Sequence, residues 1–96
     1  MPQSKADWRL LGFILASDYR IKIALMLSKQ MATPKQIAQG TNLRIGHVSN
    51  ILRNLADKEL VECVNPEAKR GRIYRLTSKG KEISELMKKL DMGKLG

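Results

Sequence analysis

Residues 33–55 have the sequence TPKQIAQGTNLRIGHVSNILRNL, which holds the clearest start and stop signals in the chain. Thr33 can cap a helix, and Pro34 fits the first helical turn, where no backbone N–H is needed. This helix is expected to end near Gly40, and after a tight turn a longer helix is predicted over 44–58. The apolar residues of the longer helix recur at the spacing i, i+3, i+4, i+7, and they are Val48, Ile51, Leu52 and Leu55. The stretch therefore predicts a helix-turn-helix.

Further helices are predicted on both sides of this stretch. Apolar residues at helical spacing predict three of them, namely an N-terminal helix over 8–16, a buried central helix over 19–29 and a C-terminal helix over 77–90. Thr77 is expected to cap the last helix. The remaining residues, 91–96, are expected to form a frayed tail.

The periodicity changes between the helix-turn-helix and the last helix. Two short β-prone segments, 60–64 and 72–76, flank a turn-rich and charged connection. This arrangement predicts a β-hairpin over 60–76 with an exposed tip. A very short strand near Met31 and Ala32 is expected to pair beside the hairpin.

The length and composition fit a single α+β domain that is mostly helical. Ninety-six residues leave room for one core over 1–96, and 43% of them are apolar, which is an ordinary globular value. The predicted architecture is a three-helix core with a β-hairpin and with additional N- and C-terminal helices.

The charge of the chain predicts a polyanionic partner. Eighteen Lys and Arg residues against nine Asp and Glu residues give a net charge of +9, which attracts nucleic acid or an anionic membrane surface. No apolar run is long enough to span a bilayer, and residues 1–4 lack the layout of a signal peptide. A single cysteine excludes an internal disulfide. We therefore expect a cytoplasmic, nucleoid-associated protein without a membrane partner.

The outer face of the helix over 44–58 carries side chains that can read DNA bases. With Val48 as the inward reference and about 100° per residue, the outward residues are Gly46, Asn50, Arg53 and Asp57, and the flanking residues are His47, Ser49 and Asn54. Asparagine can form two hydrogen bonds to adenine, and arginine can form two to guanine. At Gly46 a duplex can approach the backbone closely. The alternative interpretation is an ordinary solvated helix face.

The tip of the predicted hairpin is basic. Lys69, Arg70 and Arg72 surround Gly71 on a protruding loop. Such cations suit DNA phosphates, or an arginine that enters the minor groove. The alternative is a solvated turn that keeps the edge of the sheet soluble. A helix-turn-helix followed directly by a basic hairpin favours the DNA-binding interpretation.

Two segments resemble the winged helix-turn-helix of the ArsR and MarR regulators. The first comprises TPKQIAQ (33–39), NL (42–43), HVSNIL (47–52), Leu55 and KELVE (58–62), and the second comprises NPE (65–67), KRGR (69–72) and YRLTSKG (74–80). The resemblance covers about residues 17–85. The extra leading helix and the segment ASDYR (16–20) are similar to archaeal regulators.

The resemblance implies a dimeric transcriptional regulator of double-stranded DNA. It places the recognition helix, 44–58, in the major groove and the basic wing, 65–72, on the backbone or in the minor groove. By position, it assigns DNA contacts to Arg44, His47, Ser49, Asn50 and Arg53 in the recognition helix and to Arg70 and Arg72 in the wing. Arg44 stands where Ser or Asp usually caps this helix, so Asn42 is expected to supply the cap.

The first and last helices are predicted to form a homodimer interface. Their apolar stripes consist of Trp8, Leu11, Ile14 and Leu15 in the first helix and of Ile83, Leu86, Met87 and Leu90 in the last. A three-helix core has little room to cover both stripes, and long exposed stripes usually mark an interface. The alternative is that the two helices pack on each other within one chain.

The sequence predicts neither an enzyme nor a metal sensor. Metal sensing needs clustered thiolates and imidazoles, but Cys63 and His47 lie on different predicted elements. Cys63 falls in an apolar strand and is interpreted as a core residue, and Met26 and Met87 are interpreted as ordinary packing. No phosphate loop, catalytic triad or acid pair is present. No cofactor is therefore expected, and a small-molecule effector stays open.

The predicted function is sequence-specific binding of double-stranded DNA. One alternative is a non-specific architectural DNA-binding protein, since net charge alone gives affinity without sequence reading. Another is a winged-helix module that binds protein or RNA. Asparagine and arginine on the outer face of the recognition helix favour sequence reading over both alternatives.

Overall fold

The computed structural model describes residues 5–95. Within them, five helices and one antiparallel hairpin follow in the order α1 (Lys5–Leu15), α2 (Asp18–Lys29), α3 (Pro34–Thr41), α4 (Ile45–Asp57), β1 (Val61–Cys63), β2 (Tyr74–Leu76) and α5 (Ser78–Leu95). This order confirms the predicted α+β architecture, in which a three-helix core carries a hairpin and an additional helix at each end.

A reciprocal cap fixes the start of the helix-turn-helix. The Thr33 hydroxyl accepts a hydrogen bond from the backbone N–H of Gln36 at 3.1 Å, and the Gln36 side chain accepts one from the backbone N–H of Thr33 at 2.9 Å. Both N–H groups would otherwise lack a partner at the helix terminus. α3 therefore begins at Pro34, where the sequence signal places it.

The turn between α3 and α4 differs from the prediction. α3 continues through Gly40 to Thr41, and Asn42 ends it in the left-handed conformation with a φ of 62°. Asparagine tolerates this conformation better than most residues. The predicted capping of α4 by Asn42 is therefore wrong, because Asn42 terminates α3 instead. α4 starts after Arg44, whose side chain makes no capping hydrogen bond.

The hairpin is shorter than its sequence pattern predicts. β1 and β2 pair over three positions, Val61 with Leu76, Glu62 with Arg75 and Cys63 with Tyr74. Ala32 also pairs with Tyr74, as the expected short strand requires, through backbone hydrogen bonds of 2.8 and 3.0 Å. The link between α2 and α3 thereby fixes the outer edge of β2.

The last helix is longer than its apolar pattern predicts. α5 runs from Ser78 to Leu95, so the prediction of a frayed tail is wrong for 91–95, and Gly96 lies outside the described residues. No proline interrupts 91–95, and Gly93 alone among these residues has a poor helix propensity. At the other end, α1 begins at Lys5, three residues before the predicted start.

Four residues of the predicted dimer stripes belong to the core of the chain. Leu11, Ile14, Ile83 and Met87 are at most 4% exposed, because α1 packs directly against α5 in the same molecule. The prediction that these four form an exposed interface is therefore wrong, and for them the alternative of packing within one chain holds. Trp8, Leu15 and Leu90 stay exposed, and Leu86 is half-buried.

The start of α5 is joined closely to the start of the hairpin. The backbone N–H of Thr77 donates to the Leu60 carbonyl at 3.0 Å, and the Thr77 hydroxyl donates to the Glu59 carbonyl at 2.6 Å. The same hydroxyl accepts from the Gly80 N–H at 3.0 Å and caps the helix. A Cβ atom on Gly80 would overlap the Leu60 carbonyl oxygen and would lie 3.2 Å from Cδ2 of Leu76. Glycine is therefore required at this crossing.

Candidate nucleic-acid interface

The outer face of α4 is fully available to a partner. Its inner face buries Val48, Leu52 and Leu55 at no more than 2% exposure. All six residues that the sequence assigns to DNA contact in this region are exposed, namely Arg44, Gly46, His47, Ser49, Asn50 and Arg53. The helix therefore packs through one face and presents the polar face to solvent.

The N-terminal end of α4 favours a negatively charged partner. Val48 is the first residue whose N–H bonds within the helix, to the Arg44 carbonyl at 3.0 Å. The N–H groups of the preceding turn point out of the helix end, where the helix dipole is positive. The cationic side chain of Arg44 stands at the same end. A phosphate group would find hydrogen-bond donors and positive charge together here.

The two ends of α4 differ in charge. Asp57 is exposed in the last turn, and the exposed Glu59 follows shortly after the helix. Lys79 pairs with Glu59 at 3.3 Å, whereas Asp57 forms none of the ion pairs among the described residues. The N-terminal end of α4 is therefore the less acidic one, and five of the six assigned residues lie there within 44–50.

Two exposed residues beside this surface have no clear sequence signal. Ile45, the first residue of α4, is 54% exposed. Its spacing from Val48 predicts an inward position, but the helix end leaves it uncovered. Tyr19 in the first turn of α2 is 39% exposed, and its ring centroid lies 5.3 Å from that of His47. Contacts between separate helices leave no periodic pattern, so the sequence does not predict the Tyr19 contact.

The hairpin tip is organised by the side chain of Asn65. Its Oδ1 accepts a hydrogen bond from the Ile73 N–H at 2.7 Å, and its Nδ2 donates to the Gly71 carbonyl at 3.2 Å. The adjoining backbone bond joins the Val64 N–H to the Ile73 carbonyl at 2.7 Å. Gly71 has a φ of +67°, a conformation that favours glycine. Asn65 thus closes the tip beyond the paired strands.

The three predicted wing cations have different surroundings. All three are exposed, but the Arg72 Nε donates to the Ala68 carbonyl at 2.8 Å and so helps to close the turn. Lys69 and Arg70 form none of the ion pairs or side-chain hydrogen bonds among the side chains of residues 8–90. Arg75, nearer the base of the hairpin, pairs with Glu62 at 2.8 Å. Lys69 and Arg70 therefore remain free to meet phosphates.

The remaining predicted residues are partly or fully buried. Cys63 is half-buried, and its Sγ lies 3.6 Å from Oδ1 of Asn65. Met26 and Met87 pack with the core, as predicted.

Among residues 5–95, no three side chains of His, Cys, Asp or Glu form a group that could hold a metal ion. Over the same residues, no helix combines the length and the apolar character needed to cross a membrane.

Several solved structures share this fold. ZitR from Lactococcus lactis, as a double mutant, aligns with a TM-score of 0.75 and 20% identity over 82% of this chain and 55% of ZitR. A MarR family regulator from Neisseria meningitidis gives a TM-score of 0.75 and 22% identity over 88% of this chain and 61% of that protein. This chain thus spans less than two thirds of either regulator.

A third structure is similar over nearly the whole chain. It is described as the homodimeric winged helix-turn-helix DNA-binding domain of a possible ArsR-family transcriptional regulator from Mycobacterium bovis. It aligns with a TM-score of 0.74 and 22% identity over 97% of this chain and 91% of that domain. Two of these neighbours are described as a MarR family regulator and a possible ArsR-family regulator, which are the families that the sequence resembles, and at such identities the three structures establish the shared fold.

The sequence itself places the chain in a family. No curated protein matches it significantly. However, the family model described as winged helix-turn-helix matches residues 19–94, which is most of the chain. The matched region runs from the first turn of α2 through the helix-turn-helix and the hairpin into α5. The chain therefore belongs to the winged helix-turn-helix family.

Proposed function

We propose that this chain is a transcriptional regulator that binds double-stranded DNA with a sequence preference. The observation that carries the proposal is the exposed polar face of α4 together with the exposed basic hairpin tip. α4 is the recognition helix and enters the major groove, and 65–72 form the wing that lies on the backbone or in the minor groove. The net charge of +9 supplies the attraction to the duplex.

Each part of the surface has a separate task in this proposal. Asn50 and Arg53 lie on the outer face of α4 and read base edges through paired hydrogen bonds. Arg44 and the N-terminal end of the helix hold a phosphate, which fixes the register of the protein on the duplex. Lys69 and Arg70 hold flanking phosphates without reading the sequence.

Selection of duplexes from a random DNA pool tests this function. The selected duplex is expected to win over random duplex in competition at a single salt concentration, because base contacts add to the phosphate contacts. Equal affinity for both duplexes would contradict sequence reading and support an architectural DNA-binding protein. Binding to single-stranded RNA in preference to either duplex would support the alternative of an RNA-binding module.

Replacement of Arg53 or Asn50 with alanine is expected to relax the sequence preference. Each lost pair of hydrogen bonds should cost about 1–3 kcal/mol on the selected duplex and little on random duplex. Arg70→Ala is the matched control, because it removes the same charge as Arg53→Ala but should weaken all duplexes evenly. If only Arg70→Ala alters the preference in repeated selections, the two roles are reversed.

Gly46→Ala is expected to separate folding from DNA binding. A Cβ atom on Gly46 would meet no atom within 4 Å, so the variant should be as stable as the wild type or more stable by up to about 1 kcal/mol. If the duplex lies against the backbone here, the added methyl group should weaken binding about tenfold. Thermal denaturation and fluorescence anisotropy measure the two effects. Unchanged affinity would show that the duplex does not approach Gly46.

We infer that the protein acts as a homodimer through the part of the predicted interface that stays exposed. Trp8, Leu15 and Leu90 are 57%, 42% and 49% exposed on the two terminal helices, and the similar Mycobacterium bovis domain is described as homodimeric. Two-fold symmetry would place two recognition helices about 34 Å apart, one turn of DNA.

Sedimentation equilibrium at micromolar concentration tests the dimer. Trp8→Ala and Leu90→Glu should give monomers that bind the selected duplex more weakly. The stability of the folded chain should stay the same, because neither substitution alters the core. Leu11→Ala is the contrasting variant, since Leu11 is buried within the chain and its loss should lower stability instead. A wild-type mass near 10.8 kDa without DNA, together with a complex that holds one chain per duplex, would contradict the proposal.

A further inference from the structure

An aromatic pair connects the recognition helix to a different helix. The rings of Tyr19 and His47 have centroids 5.3 Å apart and planes inclined by 34°. Aromatic side chains attract each other at such separations. Tyr19 lies in the first turn of α2, and His47 lies in the first turn of α4. The contact therefore stands at the surface, where the starts of the two helices meet.

The backbone that carries Tyr19 is held firmly in place. The Ser17 hydroxyl caps α2 by accepting from the Arg20 N–H at 3.3 Å. The Arg20 Nη1 donates to the Phe13 carbonyl at 2.7 Å, and its guanidinium lies 3.8 Å from the centre of the Phe13 ring. Arg20 thereby anchors the start of α2 to the end of α1. The backbone position of Tyr19 is therefore fixed, whereas an isolated imidazole on a helix surface exchanges among several rotamers.

Burial does not account for the pair. Tyr19 is 39% exposed, and His47 is exposed on a flank of the polar face of α4. His47 adjoins Arg44, Gly46 and Asn50 along α4, and Tyr19 contacts it from α2. The Tyr19 contact orients the polar ring of His47 at the edge of the outer face of α4. Since neither ring is buried, we attribute to this contact a role in recognition rather than in folding.

We propose that Tyr19 is a positioning residue that holds the His47 imidazole for base reading. The inference rests on the proposed DNA-binding function. An N–H of the oriented imidazole donates to the N7 acceptor of a purine in the major groove. Because the ring is ordered before binding, the complex avoids the entropy loss of immobilising that side chain. The pair therefore specifies a purine at one edge of the sequence that α4 contacts.

The arrangement is testable in the free protein. His47 is the single histidine of the chain, so its imidazole signals in an NMR spectrum are unambiguous. The Tyr19 ring should shift these signals, Tyr19→Ala should abolish the shift, and Tyr19→Phe should retain it. Lys22→Ala, one turn further along α2, is the control and should leave the shift unchanged. An imidazole spectrum that is the same in the wild type and in Tyr19→Ala would overturn the inference.

Binding to the selected duplex tests the positioning role. Tyr19→Ala and His47→Ala should each weaken binding about two- to tenfold and should relax the same base pair in repeated selections. The double variant should bind no more weakly than His47→Ala alone, and Tyr19→Phe should bind like the wild type. Replacement of the purine by its 7-deaza analogue should weaken the wild type but not His47→Ala.

Three results would overturn the positioning role, each in a distinct way. Equal losses in Tyr19→Phe and Tyr19→Ala would assign the effect to the tyrosine hydroxyl. Additive losses in the double variant would show that Tyr19 and His47 act independently. A wild type without any sequence preference would remove the proposed function and this role with it, and the NMR measurement would show whether the pair itself still forms.

Discussion

Raising the salt concentration from about 50 to about 200 mM is expected to weaken duplex binding roughly a thousandfold or more. The estimate assumes about three or four phosphate contacts per protomer, from Arg44, Lys69, Arg70 and the N-terminal end of α4, and two protomers on the DNA. Each neutralised phosphate releases condensed counterions, and salt opposes this release. Anisotropy titrations at several salt concentrations give the slope of log affinity against log salt.

Variants of the hairpin tip show how much the wing contributes to the slope of log affinity against log salt. Arg70→Ala or Lys69→Ala should make the slope shallower by about 0.9 per lost contact, or about two for a dimer. Arg75→Ala is the control from the same hairpin, because Arg75 is paired with Glu62 at 2.8 Å, and it should leave the slope unchanged. A slope that is equal in the wild type and in both tip variants would exclude phosphate contacts by Lys69 and Arg70.

Replacement of Gly80 with alanine is expected to lower the free energy of unfolding by about 3 kcal/mol or more. The added methyl group would overlap the Leu60 carbonyl oxygen, which belongs to the backbone and moves only if α5 separates from the segment that leads into β1. That separation would also break the hydrogen bonds from Thr77 to the Leu60 and Glu59 carbonyls. Urea denaturation followed by circular dichroism measures the change.

Gly12 provides a matched control for this substitution. It also lies within a helix, but a Cβ atom there would meet no atom within 4 Å. Gly12→Ala should therefore keep the stability or raise it by up to about 1 kcal/mol. Equal stability of the Gly80 and Gly12 variants would refute the close contact between Gly80 and the Leu60 carbonyl.

Local sequence signals predict much of the helix-turn-helix correctly. Thr33 and Gln36 lie three residues apart, and their reciprocal cap needs only this spacing. The inner face of α4 likewise follows from the periodic recurrence of Val48, Leu52 and Leu55. Such features depend on residues that are close together in the chain, so a short stretch of sequence is enough to predict them.

Features that depend on contacts between distant segments are predicted less well. The stripe that contains Leu11 and Ile14 is apolar whichever element covers it, and the sequence does not show whether α5 or a second copy does so. The contact of Tyr19 with His47 and the position of Gly80 against Leu60 are also set by the packing of separate elements. The sequence shows the wing cations, but it does not show that Asn65 closes the turn.

The hairpin tip is closed by the Asn65 side chain rather than by a long strand ladder. This arrangement determines which changes of sequence the tip can tolerate. The strands pair over three positions, and the bonds of Asn65 to Gly71 and Ile73 define the rest of the hairpin. Between these anchors, residues 66–70 include no member of the buried core. Exposed loops of this kind tolerate substitution and changes in length. Evolution can therefore vary the reach and charge of the hairpin tip while the helical scaffold stays the same, which in the proposed function would tune the affinity for DNA without a change of fold.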